Sequence, residues 1–98
     1  MSTSEQPRFP GAEIVDAGVR DLQLGATTVE SEAVLMAAGR LREAGVDVPP
    51  GPESDAPASH RLYALLAAED SRGAHSRFNA IARRIVSFAQ AAEHARSR

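Results

Sequence analysis

The stretch VDVPPGPESDAPAS, residues 46–59, divides this 98-residue chain more sharply than any other feature. It holds four prolines and a glycine. Proline lacks the backbone N–H that a helix needs and its ring clashes with the preceding turn, so the stretch cannot be helical through its centre. Residues 46–58 read instead as an extended, partly rigid connector. Any fold must therefore join two blocks across it. Asp55 or Ser59 is expected to cap the helix that follows, with Pro57 accommodated in its first turn.

Both flanking blocks carry helical periodicity and no strand signal. In GAEIVDAGVRDLQLG (11–25) the residues Val15, Val19 and Leu22 form a short stripe, which Gly18 disfavours and which should end near Leu24. The next helix is expected over 28–44. Thr27 with Glu30 three residues on matches a capping box, and Glu30 and Glu32 suit the positive end of the helix dipole. Val34, Ala37, Ala38, Leu41 and Ala44 share one face, and Gly45 is a natural stop. Leu35 and Met36 fall outside that face, which implies that a second side is covered as well.

Beyond the connector, HRLYALLAAED (60–70) places Leu62, Leu65 and Leu66 inward, and a break or kink is expected near Ser71–Gly73. In the last segment Phe78, Ile81, Ile85, Phe88, Ala92 and Ala95 step by alternating threes and fours, an a/d pattern over about two and a half heptads. That is too short for a free-standing coiled coil and long enough for bundle packing. The expected architecture is all-α: a helical hairpin or small bundle of three to four helices. The 28–44 helix runs antiparallel to the helices across 59–96. Residues 1–10 read as a flexible N-terminal tail, and residues 11–98 as one helical domain.

Alanine abundance thins the expected core. The chain has nineteen alanines against twenty-three larger apolar residues. Burial contributes roughly 25 cal/mol per Å², while ordering costs roughly 1.5 kcal/mol per residue. A lone monomer is expected to be marginal, and dimerisation is expected to complete the bundle. All eleven basic residues are arginine, which together with the alanine content reads as codon usage of a GC-rich genome.

Net charge is −2, which does not suit a uniformly basic nucleic-acid binder. The distribution is uneven, however. Acids outnumber bases ten to four up to residue 58, and seven arginines face three acids thereafter. The two halves are therefore able to pair, within one chain or between two. There is no cysteine, so thiolate metal sites and disulfides are excluded. No basic-then-apolar leader opens the chain, and no apolar run approaches the roughly 20 residues that span a bilayer. A soluble, cytoplasmic protein without membrane contact is the expectation.

Chemistry-bearing motifs are few. His60, His75 and His94 are not preceded by glutamate at the third position, so a ferritin-like metal motif is missing, and His-Glu-x-x-His is missing too. Neither a nucleophile elbow nor a phosphate-binding glycine loop occurs. No metal, cofactor or catalytic residue is expected. The expected function is non-enzymatic: an interaction or regulatory protein, as an accessory subunit or an antitoxin-like partner binder. Its candidate contacts are Phe78, Ile81, Ile85 and Phe88, flanked by Arg77 and Arg84, since arginine beside aromatic and aliphatic anchors is enriched at interface centres. A second copy or a second protein is the expected partner. The alternative is nucleic-acid binding through Arg77, Arg83 and Arg84. Helix geometry puts Arg77 and Arg84 on one flank of the seam and projects Arg83 to the opposite face, so the charges are not gathered on one face. The outline of tail and helical hairpin is shared by several groups of small bacterial proteins, among them type VII secretion substrates and antitoxins. It does not choose among them. The Trp-x-Gly turn of the secretion substrates is missing, because the chain has no tryptophan.

Overall fold

The computed structural model describes residues 9–97, and these are all-helical. The helices are α1 (Ala12–Gln23), α2 (Val29–Met36), α3 (Ala38–Glu43), α4 (Ala58–Glu69) and α5 (Ala74–Arg96). The count exceeds the three to four expected because the 28–44 helix divides at Ala37. There the Ala37 N–H donates to the Val34 carbonyl (3.2 Å), three residues back, and this tight turn ends α2. Residues 59–96 likewise form two helices, separated at Asp70–Gly73 as the sequence implied.

Glycine closes two of these helices in the same way. Gly25 (φ 74°) and Gly45 (φ 100°) adopt the left-handed conformation that side chains disfavour. After α1, the Ala26 N–H reaches the Asp21 carbonyl and the Gly25 N–H reaches Leu22. After α3, Val46 reaches Leu41 and Gly45 reaches Arg42. Both are Schellman closures, which satisfy the last carbonyls of a helix.

The N-terminal cap of α2 lies one residue later than the sequence reading placed it. Thr28, not Thr27, is the cap, and its partner is Ser31, not Glu30. The Thr28 hydroxyl accepts from the Ser31 N–H (3.0 Å), and the Ser31 hydroxyl oxygen accepts from the Thr28 N–H (2.8 Å). Thr28 also donates to the Asp21 carboxylate (2.7 Å). That bond ties the end of α1 to the start of α2 and favours this register over the neighbouring one. The cap expected of Asp55 or Ser59 does not form either: Pro57 is the capping residue of α4, with no side-chain hydrogen bond. Its fixed φ suits a helix entrance, and its carbonyl accepts from the His60 and Arg61 N–H groups.

Helix α1 is a core element in spite of Gly18. It packs along α2, and a Cβ at position 18 would run into the Glu30 carbonyl oxygen and Val34 Cγ2. The glycine that lowers helix propensity is therefore what permits the two backbones to approach. Val15, Leu22 and Val34 are buried at this crossing.

Helix α2 occupies the middle, against α1 on one side and α4 on another, while α5 touches α1, α2, α3 and α4. Leu41, Leu62, Leu66 and Ile85 supply the bulk of the core, and Leu65 is half-buried. The connector contributes as well. Val48 is buried, its carbonyl accepts from the Arg42 guanidinium (2.9 Å), and Gly51 lies directly on the Leu35 side chain. This covers the second side of α2 that Leu35 and Met36 implied. Seven of the sixteen buried apolar residues are alanine, so the core is thin in the way the composition suggested. It is nevertheless collapsed: the Cα radius of gyration, 13.8 Å, is close to the roughly 13 Å of a folded chain of this length.

Candidate functional site

The apolar seam of α5 is met from within the chain. Ile85 is 1% exposed and Phe88 is buried, both inside the common core. Phe9, at the edge of the N-terminal tail, stacks edge-on against Phe88 with ring centroids 5.7 Å apart. Residues 1–8 of that tail lie outside the described residues. Phe78 and Ile81 are half-buried against the core, and Ala92 is buried, whereas Ala95 is exposed. Two of the four seam residues singled out for a partner are therefore packing residues of the monomer. Heptad spacing reports which side chains turn inward and not what they turn toward.

The flanking arginines are also engaged. Arg77 pairs with Glu69 on α4 (2.7 Å), and Arg84 pairs with Glu13 on α1. Arg83 forms no ion pair among the described residues and is exposed. The proposed gathering of Arg77, Arg83 and Arg84 on nucleic acid is not preformed, since two of the three charges already meet carboxylates. The charge asymmetry of the sequence is instead spent inside one chain. Glu13–Arg84, Glu32–Arg61 and Arg40–Glu93 (3.4 Å) each join the first half to the second.

One of these pairs escaped the sequence reading. Glu32 is 1% exposed, and its two carboxylate oxygens each accept from Arg61 Nε at 3.0 Å, with Nη2 adding a third contact at 3.0 Å. Arg61 also donates to the Ala56 carbonyl, which pins the end of the connector. Twenty-nine residues separate the partners, and neither sits in an apolar stripe. The only hint was that α2 is covered on more than one side. The pair joins α2 to α4 and has no open space around the carboxylate, so its role is structural.

Of the exposed larger apolar side chains, Phe9 (38% exposed) lies before α1 and Leu24 (74%) at its end, while Tyr63 and Val86 lie on the α4/α5 pair. Tyr63 (41% exposed) and Val86 (40%) are open to solvent. The Tyr63 ring lies tilted against Phe78, with centroids 6.0 Å apart. Phe78, Ala82 and Val86 follow at intervals of four along α5 and so form one ridge. Tyr63 extends it onto α4. All four side chains are uncharged. Tyr63 and Val86 were not singled out from the sequence. Neither falls in the apolar stripes of its helix, Leu62/Leu65/Leu66 and Phe78/Ile81/Ile85/Phe88.

Histidine offers no ligand set: His60, His75 and His94 are exposed and far apart in sequence, and His75 Nε2 lies 3.3 Å from the Asn79 side-chain nitrogen. Among the described residues no group of three or more histidine, aspartate or glutamate side chains is placed to hold a metal ion. None of the described helices is long and apolar enough to cross a membrane.

No family model, curated protein or solved structure matches this chain. Function has to be argued from the surface itself.

Proposed function

We propose that this chain is a non-enzymatic interaction protein, a regulatory or accessory subunit, that docks through the ridge Tyr63–Phe78–Ala82–Val86, with a second copy of the chain as the occupant. The observation that carries the reading is the continuity of that ridge. Scattered surface apolar residues need no explanation, but an aromatic pair continued by two aliphatic side chains on adjacent helices is contiguous, and aromatic residues are enriched at interfaces. A second copy fits for two reasons. The ridge bears no charge, so a self-complementary contact about a two-fold axis buries no like charges against each other. The alanine-rich core leaves the monomer short of buried area, and association supplies more.

Sedimentation equilibrium across micromolar concentrations tests this. The wild type is expected to dimerise, and Val86→Glu, at a position open in the monomer, is expected to remain folded by circular dichroism and to be monomeric. A monomeric wild type overturns the proposal. So does a Val86→Glu variant that dimerises as tightly as the wild type.

A further inference from the structure

The tandem arginines of α5 play no part in that ridge, and the fold gives them a different setting. Neighbouring residues on a helix point about 100° apart, so Arg83 and Arg84 diverge. Between them, one turn below and one turn above, lie Ala80 and Ser87, both small. The result is a trough of about 440 Å³ with Arg83 on one bank and Arg84 on the other, floored by Ala80 and Ser87. Pro10 and Gly11 line it as well. They come this near because Gly11 has no side chain: a Cβ there would lie 2.5 Å from the Arg84 carbonyl oxygen. The trough is thus made by tertiary packing of residues 10–11 on α5, and not by helix α5 alone.

We infer that this trough binds a phosphate oxyanion. Two guanidinium groups flank a floor without carboxylates, and guanidinium presents the planar fork that grips phosphate through paired charge-assisted hydrogen bonds. Arg83 has its donors free among the described residues. Arg84 is paired with Glu13 of α1, but the two side chains are 51% and 62% exposed, so solvent screens the pair and a phosphate competes for the guanidinium. The Ser87 hydroxyl adds a neutral donor on the floor. The phosphate comes either as a free phosphate group or as a phosphodiester of a nucleic-acid backbone.

Amide chemical shifts of the full-length, isotope-labelled chain read this directly, with inorganic phosphate and a short single-stranded DNA titrated separately at constant ionic strength. Saturable shifts are expected at Gly11, Arg83, Arg84 and Ser87. Arg83→Gln and Arg84→Gln, both on exposed side chains, are each expected to weaken binding by about tenfold. Saturation by inorganic phosphate alone assigns a free phosphate group. Saturation by the oligonucleotide alone assigns a backbone phosphodiester. Shifts that fail to saturate in both titrations overturn the inference, as do shifts that persist unchanged in both variants.

Discussion

Replacing Arg61 with alanine strands the Glu32 carboxylate at a position that is 1% exposed. Three contacts at 3.0 Å are lost. Removing one member of a buried ion pair destabilises by about 3–5 kcal/mol. Arg61 retains 23% exposure, so the lower end applies, about 3 kcal/mol. For a domain of this length each kcal/mol shifts Tm by about 4–8 °C, which predicts a fall of about 12–24 °C. Thermal unfolding followed by far-ultraviolet circular dichroism measures it. Arg61→Lys should lie between alanine and wild type, because a single ammonium does not reproduce the fork. The double variant Glu32→Leu/Arg61→Leu should recover most of the loss, since replacing both members of a buried pair by apolar side chains is often neutral. A fall under about 4 °C for Arg61→Ala, or a double variant as unstable as the single, would refute the reasoning that an isolated buried charge is the cause.

Three further substitutions test the packing. Gly18→Ala raises intrinsic helix propensity by about 1 kcal/mol, yet it drives a Cβ into the Glu30 carbonyl, so urea denaturation should show a net loss of about 1–3 kcal/mol. A stabilised variant would show that α1 and α2 do not touch as described. Ile85→Ala should cost about 2–5 kcal/mol and Phe78→Ala distinctly less, because Ile85 is enclosed and Phe78 is half-open. Equal losses in the same denaturation experiment would contradict the division of the seam into core and rim.

The helices themselves were legible wherever the local chemistry is unambiguous. Four prolines fixed the connector, Gly45 fixed the end of α3, and the Ser71–Gly73 break followed from its glycine. The misplaced cap of α2 has a different origin. Thr27 and Thr28 are both competent caps, and the Asp21 carboxylate, seven residues earlier, together with the Ser31 hydroxyl, selects Thr28. The division at Ala37 involves no proline or glycine at the turn itself, so the residues there carry no breaker signal. Gly18 misled because propensity scores a residue alone, whereas its value lies in what another helix does at that spot. The same limit hid Glu32–Arg61 and left the occupant of the α5 seam open. Periodicity gives an orientation relative to an interior, and the identity of that interior depends on contacts between distant residues.

The connector has a consequence for chain continuity. Its first part is anchored through Val48 and Gly51, but Pro52 to Pro57 are exposed. The packing it spans is shared across the two blocks: α2 rests on α4, and α1 rests on α5. Joining the blocks there limits their separation, and only its end, Ala56 and Pro57, takes part in hydrogen bonds that shape the entrance of α4. Doubling the length of that loop adds only about 0.6 kcal/mol of closure entropy. Residues 52–55 are therefore the natural place for an inserted sequence, and for a cut after which residues 9–51 and 56–97 recombine as complementary fragments, each supplying the surface on which the other folds.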